Sequence, residues 1–293
     1  MFLALCCFVV TGILLCRFWR LGHDRVLEAC VVGLFVIHPY HGEIFTFREA
    51  TLCVGLAILL AAGGIVLADR RPSRWLGGCA MLVLALSLYQ VAFNYAAIAL
   101  AIYGLFELSR SEAARLFKRP FDVRHPVIRQ VLPRALALAA SAVVYFLIYR
   151  FSQLAIEAST ADRRSQIMPL SYVPERVQAI LETIWRVLAL PEAVMPLLPK
   201  LLAGVIAVLA VFGLARRASQ TPDHARGLRL AVMLLLLVAA VFAIVGVLMP
   251  LIVWWPVDRV LSAASVLFAG LLALAAAHSG ARRVALVAAC CCC

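Results

Sequence analysis

Runs of apolar residues long enough to cross a lipid bilayer recur along the whole chain. A helix needs about 20 apolar residues to cross the roughly 30 Å hydrocarbon core. Several runs approach that length here, and 65% of the 293 residues are hydrophobic while only 14% are charged. An ordinary soluble domain is about half apolar and a quarter charged, so a water-soluble fold cannot bury this much apolar surface. The sequence therefore predicts an all-α, polytopic integral membrane helical bundle.

The apolar runs predict about eight or nine transmembrane helices, which form a single transmembrane domain over residues 1–293. Two of the runs, 26–38 and 76–91, are short for a membrane span. Either they are embedded among other helices or one of them is re-entrant. The runs are 2–16, 26–38, 51–68, 76–91, 92–108, 134–150, 199–215, 229–250 and 262–278, and a further run begins at 284.

Short basic clusters between the apolar runs predict the orientation of the bundle. The net charge is +12, but the basic residues are not gathered on one soluble face, so no nucleic-acid partner is predicted. Cytoplasmic loops of membrane proteins are enriched in Lys and Arg. The basic clusters occupy alternate loops and can all face the cytoplasm, at 17–25, 70–74, 110–134, 216–229 and 282–283. The loops that then face outward are 39–50, 91–95, 151–198 and 251–261.

The predicted extracytoplasmic loop 151–198 is the one sizeable piece outside the membrane. Apolar residues recur in it at helical spacing and predict an amphipathic helix over 174–190. Pro174 suits a first helical turn, and Pro191 marks the end of the helix. Such a helix either lies flat on the outer leaflet, with Trp185 at headgroup level, or forms a lid packed on the protein itself.

The stretch from His38 to Glu49, at the outer end of the second run, is the strongest candidate functional cluster. It holds two His, two Glu, one Arg and three aromatic residues, and ionisable groups near a bilayer are costly. Aromatic faces stack on sugar rings, a carboxylate can take a proton from an attacking hydroxyl, and Arg can fork onto phosphate oxygens. The alternative is an aromatic belt with solvated charges.

A second polar cluster, Ser87 to Tyr95, interrupts a long apolar stretch. Tyr89-Gln90 followed by Asn94-Tyr95 fits a turn at which two short helices meet at the outer surface. Alternatively, Gln90 and Asn94 join neighbouring helices through hydrogen bonds.

The third cluster, Trp254 to Arg259, also lies on the outer side. Arg259 is the one basic residue between Arg229 and Arg282, and it stands where an outward-facing phosphate would be met. A surface pair between Asp258 and Arg259 is the alternative.

Sequence motifs for the common energy sources and cofactors are missing. The chain has no nucleotide-binding P-loop, no zinc-protease motif, no nucleophile elbow and no dinucleotide-binding motif. No metal is assigned to the candidate residues, and the cofactor stays open: a divalent cation is one option, although no metal motif is visible. For a reaction here, the energy must arrive in the substrate.

The order of these clusters resembles the GtrII-type glucosyltransferases, bacterial inner-membrane enzymes similar to the GT-C class. The resemblance covers about residues 30–280, so it implies a GT-C-like bundle whose functional face is periplasmic. The matching residues are His38-Pro39, Glu43, Phe47-Arg48, Ser87-Leu88-Tyr89-Gln90 and Asp258-Arg259 before the apolar run at 260–274.

The resemblance implies transfer of a glucosyl or related residue from a polyprenyl-phosphate donor to a surface polysaccharide or lipopolysaccharide. The partners it implies are therefore the bilayer, that donor and that acceptor. The implied roles are Glu43 as catalytic base, Arg48, Arg259 and His38 as donor or phosphate contacts, and Tyr89, Gln90, His41 and Asp258 as pocket residues.

This chain departs from the GT-C pattern at its beginning. The key acid of GT-C relatives lies in the first outward loop, after the first helix, and no acidic outward loop precedes residue 38 here. One expectation is therefore an inactive fragment, truncated at both ends. The other is a complete chain in which Glu43 is the base.

Two other functions use the same residues. A transporter or flippase of lipid-linked glycans would bind the substrate without chemistry, although few charges lie at the centres of the apolar runs. A polysaccharide polymerase would share the long outward loop, and only a product assay would separate it from a transferase.

Overall fold

Helices make up nearly all of the described chain in the computed structural model. The structure describes residues 1–21, 24–110, 127–155, 167–192, 195–219, 223–251 and 253–278. No β-strand occurs in these ranges, so the predicted all-α fold is confirmed. The α-helices are α1 (Phe2–Phe18), α2 (Arg25–Val36), α3 (Gly42–Thr46), α4 (Arg48–Leu67), α5 (Pro72–Leu88), α6 (Ala92–Ser109), α7 (Leu132–Ala155), α8 (Val173–Leu188), α9 (Leu197–Ser219), α10 (Asp223–Phe242), α11 (Asp258–Leu261) and α12 (Ala264–His278).

Short helices of other types join several of these elements. Pro39–His41 and Leu170–Tyr172 are 3-10 turns, and Ala243–Leu248 continues α10 as a 3-10 helix. Val127–Val131 is a π-helical turn that leads into α7. The predicted run that begins at 284 and the basic loop residues 111–126 lie outside the described residues.

Six of the described helices are long and apolar enough to cross a membrane, and α1 and α5 are shorter apolar helices. The chain is therefore a multi-pass membrane protein. Helix α2 has 12 residues, which at about 1.5 Å per residue is roughly 18 Å and too short to cross. The six spans are Glu49–Leu67, Ala92–Ser109, Arg129–Ser152, Leu197–Ser219, Arg226–Leu248 and Asp258–His278.

Polar contacts between loops mark the two ends of the bundle. At one end the Tyr40 hydroxyl donates to Glu192 over 2.6 Å, and we call it the Tyr40 end. At the other, the buried Arg229 donates over 2.9 Å to the carbonyl of Leu108, in the last turn of α6. This is the Arg229 end, and there Arg70 donates to the carbonyl of Arg129. The loops predicted to face outward meet at the first end, and described basic clusters meet at the second.

Helices α6 and α12 form the centre of the bundle. Their spans are each 89% buried, against 22% for the spans that contain α7 and α10. The two central helices touch at Gly270, where an added Cβ would lie 2.7 Å from a side-chain atom of Ile102. Small residues let membrane helices approach closely. The loops before α6 and α12 are consequently fixed beside each other at the Tyr40 end.

Candidate functional site

Glu43 lies in the first turn of α3 because the chain turns sharply after α2. Pro39 begins a 3-10 turn, in which the Nδ1 of His38 accepts a hydrogen bond from the backbone N–H of Tyr40. Helix α3 follows immediately at Gly42. The Glu43 carboxylate is thereby presented at the Tyr40 end, with 26% of the side chain exposed.

Glu43 contacts Arg259 twice. Its Oε2 accepts the backbone N–H of Arg259 over 2.7 Å, and its Oε1 lies 3.3 Å from a terminal nitrogen of the guanidinium. Helix α11 begins with Val257 as N-cap and has no cap from its own side chains, so Glu43 satisfies an N–H that would otherwise lack a partner. The sequence alternative of an Asp258–Arg259 surface pair is not what the structure contains: Arg259 pairs with Glu43.

Arg259 is held on two further sides. The guanidinium carbon lies 5.2 Å from the ring centre of Phe47, within the range of a cation–π contact. The Tyr89 hydroxyl donates to the carbonyl oxygen of Arg259 over 2.8 Å. The Arg259 side chain nevertheless stays 36% exposed, so it can still meet a ligand.

Two neighbouring cavities lie at this end of the bundle, and Arg259 lines the first of them. The first has a volume of 410 Å³, and its polar and aromatic lining includes Tyr89, Gln90, Tyr145, Trp255 and Arg259. The second has a volume of 530 Å³ and a mostly apolar lining. Gln90 and Tyr145 line both cavities, and the Gln90 side-chain amide donates to the Tyr145 hydroxyl over 2.7 Å. A ligand with a polar head and an apolar tail fits this pair of cavities.

Both alternatives left open for the second cluster occur in the structure. The chain turns at Tyr89 to Val91, and Asn94 joins neighbouring helices through hydrogen bonds. Helix α5 ends at Leu88 and α6 starts at Ala92, so the long apolar stretch does turn at the Tyr40 end. Asn94 also joins helices: its amide donates to the carbonyl of Ile244, and its oxygen accepts the N–H of Val247.

The two histidines are buried behind the site and do not line either cavity. His41 contacts the carbonyl of Val36 with one ring nitrogen and the hydroxyls of Tyr95 and Ser265 with the other. Burial lowers the pKa of His41 to about 4. Burial, and secondarily the neighbouring His41, lowers the pKa of His38 to about 3. Both rings are therefore neutral near pH 7.

His38 packs as an aromatic ring. It stacks on Phe268 with ring centres 5.3 Å apart. Its Nε2 has no hydrogen-bond partner among the described residues. His38 thus links the 38–47 loop to the central helix α12.

The remaining predicted residues have less defined surroundings. Asp258 begins α11 and interacts electrostatically with Glu43, Glu192 and Arg186; its carboxylate has no hydrogen bond or ion pair within the described part of the chain. Arg48 begins α4, and its side chain lies outside the described residues.

A second charged group, centred on Glu192, lies beside the site and was not predicted from the sequence. Glu192 accepts the hydroxyl of Tyr40 and forms ion pairs with Arg186 at 2.8 Å and with Lys200 at 3.5 Å. The Arg186 guanidinium also donates to the carbonyl of Pro256 over 3.0 Å. Burial and Glu192 raise the pKa of Tyr40. Glu192 directly follows Pro191, which could have indicated that the loop returns to the protein there.

The fold and these contacts define a multi-pass membrane protein with a charged site at one end of its helical bundle. The sequence model of the family described as glucosyl transferase GtrII matches residues 1–274. The chain therefore belongs to the GtrII glucosyltransferase family. Searches of curated proteins and of solved structures found no match.

Proposed function

We propose that the protein transfers a glucosyl or related residue from a polyprenyl-phosphate donor to a surface polysaccharide or lipopolysaccharide. The observation that carries this proposal is Arg259, which pairs with Glu43 and lines a cavity of mixed polar and apolar character that adjoins a mostly apolar one. The sugar and phosphate would lie in the mixed cavity beside Arg259, and the first isoprene units of the carrier would lie in the mostly apolar cavity. Such a donor brings its own leaving group, so no nucleotide site is needed.

Arg259 is the proposed contact to the donor phosphate. A guanidinium binds phosphate oxygens through a planar fork of donors, and here Glu43 and Phe47 set its direction. Arg48 is proposed as a second contact to the donor. Tyr89 and Gln90 supply polar groups at the cavity wall, and aromatic side chains such as Trp255 can stack on a sugar ring.

Glu43 is the proposed general base. When the donor phosphate engages Arg259, the carboxylate of Glu43 loses part of its ion pair and can accept a hydrogen bond from the acceptor hydroxyl. The acceptor hydroxyl attacks the anomeric carbon, its proton passes to Glu43, and the bond from the anomeric carbon to the phosphate oxygen breaks. Polyprenyl phosphate leaves with the electron pair of that bond.

No step in this scheme requires a metal ion. The described residues contain no group of three His, Cys, Asp or Glu side chains arranged to hold one. Glu43 is already engaged by Arg259, which lines the first cavity.

The site end of the bundle is proposed to face the periplasm of a bacterial inner membrane. Arg20 and Arg70, which belong to two of the basic clusters, lie with Arg229 at the opposite end of the described helices. The positive-inside rule places that end in the cytoplasm.

Substitution of Arg259 tests the proposal. We expect Arg259→Gln to raise the KM for a radiolabelled polyprenyl-phosphate glucose donor and to lower kcat/KM by about 10²–10³, the usual effect of removing one preorganised donor. Arg259→Lys should retain part of the activity because the charge stays. Transfer is measured in membranes that carry the polysaccharide, with UDP-glucose as the control donor.

Glu43→Gln separates the role of the base from that of the phosphate contact. The amide still accepts the N–H of Arg259 but takes no proton, so kcat should fall by about 10²–10⁴ with little change in KM. The matched control is Arg74→Gln, an exposed arginine paired with Asp69 at the Arg229 end. Full transfer by both site variants, or equal loss in the control, would contradict the proposal.

A further inference from the structure

The amphipathic helix α8 carries a wide apolar stripe, and only half of it packs on the protein. At 100° per residue the stripe extends from Val187 through Val177 to Trp185. The edge that includes Ile180, Ile184 and Val187 is buried. The other edge is exposed, with 48% of Val177, 52% of Leu181 and 61% of Trp185 accessible. A lid that faced water would carry polar side chains along this second edge.

The polar arc of α8 lies beyond the exposed edge. It includes Glu175, Gln178 and Glu182, all of which are exposed, and the Gln178 amide donates to Glu182 over 2.8 Å. The helix therefore presents three strips in order: one toward the protein, one apolar and exposed, and one polar.

The membrane spans that flank α8 in the chain also expose apolar side chains at the ends nearest to it in sequence. Helix α8 lies in the chain between the span 129–152 and the span 197–219. The ends of those spans that adjoin it expose Phe151, Leu197, Leu198 and Leu201, with 51–68% of each side chain accessible. Lys200, in the first turn of the second of these spans, donates to the carbonyls of Arg186 and Leu190. The end of α8 is therefore level with the beginning of that span, where the lipid headgroups lie.

We propose that α8 lies in the headgroup region of the bilayer at the Tyr40 end, with Val177, Leu181 and Trp185 in contact with lipid. Its partner is thus the lipid surface, while its other edge packs on the bundle. Amphipathic helices of this kind bury their apolar face about 5–10 Å into the boundary between headgroups and acyl chains, and Trp is favoured there. The sequence left two alternatives, an interfacial helix and a lid packed on the protein. In this placement one edge of α8 contacts lipid and the other edge packs on the protein.

This placement would tie the loop that precedes Arg259 to the membrane surface. Near the start of α8, Arg176 donates to the carbonyl of Leu251 over 2.7 Å and lies 4.7 Å from the ring centre of Trp254. Near its end, Arg186 donates to the carbonyl of Pro256. Two points on an interfacial helix thereby hold Leu251, Trp254 and Pro256, whichever reaction the site performs.

Fluorescence of Trp185 in lipid nanodiscs tests the placement. The signal of Trp185 is obtained as the difference between the unsubstituted protein and Trp185→Phe, which leaves the other four tryptophans unchanged. We expect this signal to be quenched by lipids brominated near the headgroup, to be quenched less by lipids brominated near the chain ends, and to resist aqueous acrylamide.

A tryptophan on the polar arc is the matched control. Glu175→Trp, made in the Trp185→Phe background, places the same probe on the same helix, and we expect acrylamide to quench it strongly. If acrylamide quenches Trp185 and brominated lipid does not, α8 stands in water and the proposal fails. Protection of Trp185 from both quenchers would also overturn it, because another protein surface, such as a second copy of the chain, would then cover the strip.

Discussion

At the scale of single residues, the site depends on how each ionisable side chain is compensated near a membrane. The opposite charges of Glu43 and Arg259 neutralise each other, and both side chains stay partly exposed. The two histidines are buried and carry no charge. Burial of a charge without a partner costs far more than burial of a neutral ring. Three polar residues of one short loop consequently have different roles. Glu43 lies at the site, and His38 and His41 lie buried behind it.

The buried histidines predict that acid destabilises the protein. The pKa of His38 is about 3 in the folded chain, against about 6.5 for an unperturbed histidine. Below pH 6.5 a histidine in the unfolded chain binds a proton, whereas the buried His38 of the folded chain does not. The free energy of unfolding is therefore highest above pH 6.5 and decreases as the pH falls toward 3. The loss is up to about 1.4 kcal/mol per pH unit for each histidine.

This pH dependence can be measured as the thermal unfolding of the protein in detergent between pH 7.5 and pH 5. His38→Phe should flatten the dependence, because Phe can stack on Phe268 without titrating. The control Tyr172→Phe changes a side chain that is 51% exposed and should keep the original slope. An unchanged slope in His38→Phe would show that His38 does not contribute.

At the scale of helices, close approach of backbones replaces the hydrophobic drive that water supplies to soluble bundles. Helices α4 and α5 meet at Gly64 and Gly78, where a Cβ added to Gly78 would lie 2.7 Å from the carbonyl oxygen of Gly64. Lipid chains are as apolar as leucine, so membrane helices associate through such tight packing. This contact holds α5, and hence Tyr89 and Gln90 at its end, against the rest of the bundle.

Substitution at this crossing should therefore be costly. We expect Gly78→Ala to lower the free energy of unfolding by about 1–3 kcal/mol, because the new methyl group meets backbone that cannot move aside cheaply. Gly204→Ala in α9 is the control: an added Cβ there meets nothing within 4 Å, and Ala favours a helix over Gly. Unfolding in mixed detergent micelles measures both, and equal stability of the two variants would contradict the packing.

At the scale of the whole molecule, the contacts between loops separate the bundle into an end with the candidate site and an end rich in arginine. Glu43, Tyr89 and Arg259 meet at the first. Arg20, Arg70 and Arg229 lie at the second, where Arg229 and Arg70 bond backbone carbonyls. Such segregation of charge is what the membrane insertion machinery reads as topology.

Reporter fusions test the resulting orientation. A fluorescent protein that matures only in the cytoplasm should be bright when fused after Ser219, at the Arg229 end, and dark when fused after Leu190, at the Tyr40 end. A periplasmic phosphatase fused at the same positions should give the reverse pattern. The opposite result in both reporters would place the site in the cytoplasm and would remove the periplasmic acceptor from the proposal.

Much of the fold follows from local properties of the sequence. Apolar length, helical spacing and basic clusters are each read within one segment, and they were enough to predict an all-α membrane bundle, most of its helices and the turn between α5 and α6. The same local reading placed Glu43, Tyr89, Gln90 and Arg259 in loops that share one end.

The pairings between segments could not be read in this way. Glu43 and Arg259 are 216 positions apart, and Tyr40 and Glu192 are 152 positions apart, so no local pattern connects them. Burial decided the rest: His38 and His41 were expected to contact the donor or line the pocket, and both are buried behind the site. The sequence by itself determined that most of the chain lies in a lipid bilayer and where the chain turns between its apolar runs. Only the packing of α12 and α6 decided which of the polar side chains face a cavity, because that choice depends on what each one touches.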